Sequence, residues 1–238
     1  MNLHVIIASH LNLYRIITII DCIQSISECV KYAELYMINC YISYSYEDFI
    51  YSKLEQLENI LKSNKNLNII LYRHKQKKLQ FEHIKYILEQ NSFNDNDWIM
   101  FSDDDDISVQ TRITTFFYCL NNYNFDVFRS NMLLIERDTI IKKPYTYFNL
   151  LKHQHLKNTL ADFATTIVKI KILKEFFDFY KDFYKDEFDL VTDCIFSNFI
   201  ENYKVYKSEE YLYIVRTRMY TSQEKFLELY SNENLTLQ

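Results

Sequence analysis

Four consecutive carboxylates, Asp103 to Asp106, follow the apolar and aromatic run Trp98 to Phe101 after a single serine, Ser102. Two unit charges ~6 Å apart repel by roughly 3 kcal/mol at an effective dielectric constant of about 20. A solvated acidic loop would tolerate this repulsion, but the run is attached to a strand that its composition predicts to be buried. The pattern favours a site where a divalent cation neutralises the charge, because Mg²⁺ and Mn²⁺ prefer oxygen ligands.

The alternation of side chains along an extended backbone decides which of these carboxylates can share one ion. Side chains i and i+2 point the same way, so Asp103 and Asp105 are predicted to converge, whereas Asp104 and Asp106 point elsewhere. Ligands of open α/β sheets bind beyond the carboxyl ends of the strands, and the acidic run occupies such an end. The sequence therefore predicts a site for Mn²⁺ or Mg²⁺ there.

The chain contains no glycine, which excludes several kinds of nucleotide site. A P-loop and a Rossmann fingerprint need glycine so that the backbone can approach phosphates. A kinase glycine-rich loop and a GxSxG nucleophile elbow are excluded for the same reason. A bound nucleotide must be held in another way, and a metal ion held by carboxylates is the obvious alternative.

The composition predicts one folded domain with no nucleic-acid partner. The 238 residues are 48% hydrophobic and 25% charged, which is enough apolar material for one sizeable core. The net charge of −5 argues against a nucleic-acid binder, whose surface is basic. The five cysteines form no CxxC pair, which is typical of reduced thiols. Because neither a signal peptide nor a membrane span is apparent, we expect a cytoplasmic protein.

Strands and helices alternate in the first half of the chain. Apolar runs predict strands at 4–8, 35–42, 67–72 and 98–101. Helical spacing of apolar residues predicts helices at 12–32, 45–62 and 79–89. Ser45, with Asp48 three residues later, predicts a capping box for the second helix. This alternation implies βαβ units, and so an α/β fold with a mainly parallel central sheet flanked by helices.

The second half of the chain continues with helices and shorter strands. The patterns predict helices at 108–120, 170–181 and 188–201, and strands at 125–135, 161–168, 205–206 and 211–216. A segment without clear period at 142–158 contains the only proline and could cover a site. No linker divides the chain, so we predict a single domain over 1–230 and a polar C-terminal tail over 231–238.

The segment W-I-M-F-S-D-D-D-D, residues 98–106, resembles the DxD segment of GT-A glycosyltransferases, especially the family 2 form in which a strand ends in F-x-D-x-D-D. The resemblance covers most of the chain, and the chain is similar to compact glycosyltransferases of large DNA viruses, which would place it in the host cytoplasm. It implies a single GT-A-type, Rossmann-like domain. It also implies a metal-dependent enzyme of the hexosyltransferase type that uses a nucleotide-sugar donor, a UDP- or GDP-sugar.

The resemblance assigns donor contacts to two further segments. The family's first nucleotide-contacting loop falls on Ser9 and His10, although its usual Pro-Thr-Tyr is not preserved. The family's donor-contacting helix start falls on Lys78, Gln80 and His83, where its usual glycine is missing. His83 is expected on the polar face of its helix, so an ordinary solvated position is the competing interpretation.

The resemblance also implies roles for the carboxylates. Asp105 becomes the main metal ligand, and Asp103 faces the metal shell or the ribose, with Asp104 among the donor-contacting residues. Asp106 is expected near the sugar or the acceptor. Asp193 corresponds to the base of inverting members, although a threonine precedes it where the family has glutamate. The acceptor, whether glycan, protein or lipid, stays open.

Two other functions stay open at this stage. Another metal-dependent nucleotide enzyme, such as a nucleotidyltransferase, would use the same carboxylates, and a non-catalytic remnant of the fold would use none. Arg112 is expected to balance the carboxylates, and Asp162 could face the acceptor. His153 and His155 could ligate a metal, but a surface loop is the simpler interpretation of their spacing.

Overall fold

The first half of the chain builds a parallel sheet whose strands are connected by helices. The computed structural model describes residues 1–35, 37–136, 139–143, 163–183 and 192–216. The strands of this half are β1 Leu3–Leu11, β2 Ile38–Tyr46, β3 Leu67–His74 and β4 Trp98–Asp103. The helices that connect them are α1 Leu13–Tyr32, α2 Tyr51–Lys62 and α3 Gln80–Gln90.

The register of these four strands brings their carboxyl ends to one edge of the sheet. They lie in the order β3-β2-β1-β4, and all three pairs are parallel. Ala8 of β1 pairs with Ser43 of β2 on one side and with Asp103 of β4 on the other. Residues that follow Ala8, Ser43 and Asp103 therefore face a shared crevice, the usual place for a ligand in such a sheet.

The second half of the chain extends the sheet in mixed directions. Its elements are β5 Ile107–Ser108, α4 Arg112–Asn122, β6 Val127–Glu136, β7 Thr139–Lys143, β8 Thr166–Lys169, α5 Ile170–Phe183, α6 Thr192–Phe199 and β9 Val205–Arg216. Beyond β4 the strand order continues β8-β6-β9-β5, with β7 paired to β6. The β8 strand is antiparallel to both β4 and β6, whereas β9 is parallel to β6.

Helices cover both faces of this sheet, because alternate residues of each buried strand point to opposite sides. Val5 and Ile7 of β1 pack in one apolar cluster with α1, α2 and α4. Ile6 and Ala8 pack in the other cluster with α3, α5 and α6. A parallel strand buried on both faces has a nearly continuous apolar run, and Val5 to Ala8 form such a run in β1. The predicted class, a single α/β domain with a central sheet flanked by helices, is confirmed.

Several predicted boundaries are wrong. Ser45 does not cap a helix, because it is a fully buried residue of β2 that bonds His10, and the second helix begins at Tyr51. The helix expected from Ser108 begins at Arg112, since Ser108 pairs with Tyr213 as part of β5. The two short strands expected near the end of the chain are one strand, β9, which is irregular where it pairs with β6.

Some predictions fall outside the described residues. These are most of the segment expected to cover the site, at 144–158, and the whole of the tail, at 231–238. Within the described part of the chain, no helix combines the length and the apolar character needed to cross a membrane.

Candidate active site

A cavity of about 550 Å³ opens at the carboxyl edge of the parallel strands. This volume lies within the range of small-molecule sites, about 300–1,000 Å³. Its walls come from the ends of β1 and β4, the first turn of α1 and the start of α3. The lining residues are Ala8, Ser9, His10, Asn12, Arg15, Glu47, Lys77, Lys78, Gln80, His83, Asp103 and Asp105. Seven of the predicted site residues therefore meet in one cavity: Ser9, His10, Lys78, Gln80, His83, Asp103 and Asp105.

The acidic run divides into two carboxylates that line the cavity and two that lie behind it. Asp103 closes β4, and its backbone N–H donates to the hydroxyl of Tyr213 at 2.8 Å. A turn follows, in which the Asp106 N–H donates to the Asp103 carbonyl at 3.3 Å. This turn leaves Asp103 and Asp105 on the cavity wall and buries Asp104 and Asp106. The split matches the predicted alternation, although a turn produces it instead of an extended strand.

Asp104 is held by two residues from the N-terminal segment. It is 1% exposed, and its carboxylate accepts hydrogen bonds from the Ser9 hydroxyl and from the Arg15 guanidinium. Arg15 also donates to Asp105 at 3.3 Å. Burial alone lowers the pKa of Arg15, but attraction to the carboxylates outweighs it, so the pKa lies above its usual value. Asp104 therefore organises the wall from behind, and Arg15 carries a positive charge to the cavity surface.

Asp106 connects the acidic run to β9. It is nearly fully buried, and its Oδ1 accepts the backbone N–H of Arg216 at 3.0 Å. The Arg216 guanidinium donates in turn to the Asp105 carbonyl at 2.5 Å and to Asp21 at 3.0 Å. Asp106, predicted near the sugar or the acceptor, is not among the residues that line the cavity.

A hydrogen bond joins the acidic run to the start of α3, two segments that were predicted separately to contact the donor. Gln80, the first residue of α3, donates from Nε2 to Asp103 Oδ1 at 2.6 Å. The preceding residues Lys77 and Lys78 line the same cavity. Together with Arg15 they give the cavity three cationic side chains beside three carboxylates, those of Glu47, Asp103 and Asp105. A ligand that carries both phosphate and hydroxyl groups suits this mixture of charges.

His83 is buried, and its predicted place on a polar helix face is wrong. It is 1% exposed, because α3 packs this side against β1 and β2 instead of leaving it in solvent. Its Nδ1 lies 2.8 Å from the Ser43 hydroxyl, which is also 2.9 Å from His74 Nε2. Burial, with the nearby charges of His74 and Lys78, lowers the pKa of His83 to about 3. His83 is therefore a neutral residue of the inner cavity wall.

Arg112, expected to balance the carboxylates, also supports the strand that leads to them. It is fully buried and donates to the carbonyls of Phe101 at 3.1 Å and Ala164 at 2.5 Å. It also stacks on the Tyr213 ring at 4.7 Å. These contacts tie β4 to the 3₁₀ turn that precedes β8, so Arg112 supports the strand that ends in the acidic run.

The remaining predicted residues are only partly described. Asp193 is the second residue of α6, and its side chain lies outside the described part. Asp162, His153 and His155 also lie outside it.

Sequence reasoning missed the contribution of α1. Asn12 caps this helix by accepting the N–H of Arg15 at 3.0 Å, which points the first helical turn at the cavity. Asn12 follows a buried strand directly, and a helix cap at such a place could have indicated that the first turn of α1 contributes to the site. The first turn of such a helix lies at the carboxyl edge of the sheet. Glu47 was missed because a loop residue has no sequence period that indicates the direction of its side chain.

The carboxylates that line the cavity suit a divalent cation that is also coordinated by a bound substrate. Within the described residues there is no group of three histidine, cysteine or acidic side chains that could hold a metal. Asp103 and Asp105 both line the cavity, and Mg²⁺ commonly binds one or two carboxylates together with substrate phosphates. The carboxylates suit a metal that arrives with a diphosphate better than one bound by the protein alone.

Comparison with known proteins gives a fold and no sequence family. No family model matches the chain, and no curated protein matches it. Among solved structures it resembles S. aureus TarS 1–349, with a TM-score of 0.62 and 15% identity over 91% of this chain. The structures of the same TarS fragment with UDP and with UDP-GlcNAc give TM-scores of 0.61 and 0.58 at 16% and 15% identity, each over 96% of this chain.

The chain spans 60% of the length of TarS 1–349. TarS is a GT-A-type glycosyltransferase, so the GT-A-type fold expected for this chain is confirmed. At this level of identity the likeness concerns the fold alone.

Proposed function

We propose that the protein transfers a sugar from a nucleotide-sugar donor to an acceptor hydroxyl. The observation that carries the proposal is the cavity in which Arg15, Lys77 and Lys78 stand beside Asp103 and Asp105. Its position at the carboxyl edge of the parallel strands is the usual ligand position of such sheets. The GT-A-type fold supports the same function, since TarS has been crystallised with UDP and with UDP-GlcNAc.

The charges of the cavity suggest how a donor is oriented. Arg15, Lys77 and Lys78 offer charge-assisted hydrogen bonds to the diphosphate. Gln80 already bonds Asp103 and so keeps that carboxylate at the cavity wall. The ion pair of Arg15 with Asp104 keeps the guanidinium from turning away into solvent. Binding through these side chains requires no glycine-rich loop, which agrees with a chain that has no glycine.

Asp103 and Asp105 are proposed to hold Mn²⁺ or Mg²⁺ together with the donor diphosphate, with Asp105 as the main ligand. Such a cation, when bound, offsets the charge that develops on the leaving nucleoside diphosphate. The basic side chains of the cavity contribute to the same charge balance.

Asp193 is proposed to take the proton of the acceptor hydroxyl. It lies in the first turn of α6, where the positive end of the helix dipole favours an ionised carboxylate. A base that acts directly on the attacking hydroxyl predicts a product of inverted anomeric configuration. Asp106, which bonds the backbone of Arg216, is proposed to support Asp105 from behind.

A panel of nucleotide sugars tests the function. We expect a UDP- or GDP-sugar to raise the melting temperature in the presence of Mn²⁺ and to do so less in EDTA. A ligand at one hundred times its Kd stabilises by about 2.7 kcal/mol, which a thermal scan resolves easily. Transfer of the sugar to an acceptor is then followed by mass spectrometry.

The outcome of the panel separates the proposed function from its rivals. Release of pyrophosphate from a nucleoside triphosphate, with no sugar transfer, would indicate a nucleotidyltransferase. Absence of binding for every nucleotide sugar, with every divalent metal, would contradict the proposal and indicate a fold that has lost its activity.

A further inference from the structure

The inner wall of the cavity contains a buried nitrogen that no group of the described protein satisfies. His83 lines the cavity and is 1% exposed, yet its Nε2 has no hydrogen-bond partner in the structure. Leaving such a buried polar atom unpaired costs about 1–3 kcal/mol. A ligand group that bonds this nitrogen removes that cost, so the position is suited to binding.

The hydrogen bonds of His83 to its protein neighbours determine whether Nε2 is a hydrogen-bond donor or an acceptor. The Ser43 hydroxyl, fully buried, lies between His83 Nδ1 at 2.8 Å and His74 Nε2 at 2.9 Å. A hydroxyl has one proton, so at least one of the two imidazoles must donate to it. If His83 donates, its Nε2 is an acceptor; if Ser43 donates to His83, its Nε2 carries the proton and is a donor.

His83 stays uncharged in either arrangement. Its pKa is lowered to about 3 by burial and by the charges of His74 and Lys78, so near neutral pH it is not a cation. It therefore differs in kind from Arg15, Lys77 and Lys78, which suit phosphate groups. A neutral donor or acceptor in a buried wall suits an uncharged polar group of the ligand.

The position of His83 in the sheet agrees with a cavity in which cationic side chains bind phosphate and His83 binds an uncharged group. Its partners Ser43 and His74 belong to β2 and β3, whereas Asp103 ends β4 on the other side of β1. Neighbouring strands are about 4.8 Å apart, so β2 and β4 are separated by about 10 Å. The ribose and first phosphate of a nucleotide can bridge such a distance.

We infer that His83, positioned by Ser43 and His74, bonds the edge of the donor's nucleobase, while the basic side chains bind its diphosphate. The inference rests on the proposed function and adds a specificity residue to it. Base edges carry ring N–H groups and carbonyl oxygens side by side, so either tautomer of His83 finds a partner there.

Two substitutions separate the two nitrogens of His83. The amide of asparagine replaces Nδ1, so His83→Asn keeps the bond to Ser43 and loses the group at Nε2. The longer glutamine reaches the position of Nε2, so His83→Gln keeps the group that meets the ligand. Binding of UDP, GDP and inorganic pyrophosphate is measured by calorimetry with Mn²⁺ for the wild-type protein and both variants.

We expect His83→Asn to weaken the tighter-binding nucleotide about tenfold or more, corresponding to about 1.4 kcal/mol. Pyrophosphate affinity should stay within about twofold, and His83→Gln should restore most of the nucleotide affinity, because a single neutral hydrogen bond is involved. Equal losses for nucleotide and pyrophosphate, or unchanged nucleotide binding in His83→Asn, would overturn the inference while leaving the proposed function intact. Failure of the wild-type protein to bind either nucleotide would overturn both.

A measurement on the wild-type protein covers the case in which a variant does not fold. The chain has six histidines, so ¹⁵N-histidine spectra are simple enough to follow each ring. UDP or GDP, but not pyrophosphate, should shift a ring nitrogen signal of one neutral histidine. Shifts confined to protonated histidines, or identical shifts with pyrophosphate, would refute the contact.

Discussion

Replacement of Arg15 tests how the acidic run is kept folded. Asp104 is 1% exposed, whereas the Arg15 side chain is 18% exposed, so the pair is buried on one side and reached by water on the other. Removing one partner of a fully buried pair costs about 3–5 kcal/mol, because the other charge stays uncompensated. Since water still reaches the position of Arg15, we expect Arg15→Gln to lower the free energy of unfolding by about 2–4 kcal/mol.

The chain offers a matched control in the ion pair between Lys174 and Asp95. Its N–O distance is 2.7 Å, but its side chains are 43% and 63% exposed. Exposed pairs contribute about 0–1 kcal/mol, so Lys174→Gln should change stability by less than about 1 kcal/mol. Both variants are measured by urea unfolding at neutral pH in EDTA, with the m-value as a check on two-state behaviour.

A double substitution distinguishes the ion pair from packing of the Arg15 stem. In the Arg15→Gln background, Asp104→Asn removes the buried charge that lost its partner, so it should cost less than in the wild-type background. A coupling energy of about 1–3 kcal/mol is expected for residues in direct contact. The reasoning is refuted if Arg15→Gln destabilises no more than Lys174→Gln, or if the two substitutions at the acidic run are simply additive.

Three further predictions concern the carboxylates and His83. Asp105→Ala should abolish Mn²⁺-dependent binding of a nucleoside diphosphate without lowering the free energy of unfolding. The control Asp95→Ala should leave stability unchanged as well, and undiminished binding in Asp105→Ala would remove Asp105 from the metal site. Asp193→Asn should bind donor normally and lose turnover by orders of magnitude; full activity, or a product of retained configuration, would exclude Asp193 as the base. The wild-type protein should lose about 2 kcal/mol between pH 7 and pH 5 from His83, because the unfolded chain takes up a proton near pH 6.5 and the folded chain only near pH 3. Urea unfolding at both pH values should show a smaller loss in His83→Asn, and an equal loss would contradict the burial argument.

The elements that sequence patterns predicted well are those in which local composition agrees with the tertiary environment. The first strand contains the apolar run Val5 to Ala8 and is buried on both faces, so its sequence pattern agrees with its place in the parallel sheet. Ser45 failed as a helix cap because its local pattern is equally consistent with a polar residue in a buried strand. Only the neighbouring strand, which provides His10 as a partner, decides between the two.

The same distinction applies to the residues of the cavity. The acidic run was recognisable because four adjacent like charges after an apolar strand are costly without a compensating partner. The identity of that partner was not recognisable, since Arg15 is far from Asp104 in the sequence and meets it only because β1 and β4 are adjacent. His83 was expected in solvent because helical spacing locates a residue on a face without telling what covers that face.

The sequence by itself determined the α/β class, the strand that ends in the acidic run, and the exclusion of glycine-dependent nucleotide sites. These properties depend on composition and on periodicities of a few residues, which are set locally along the chain. The tertiary structure alone decided that Asp104 is buried against Ser9 and Arg15, and that His83 closes the inner wall with Ser43. The physical reason is that burial and ion pairing depend on which strands and helices become neighbours, and this is a property of the whole folded chain.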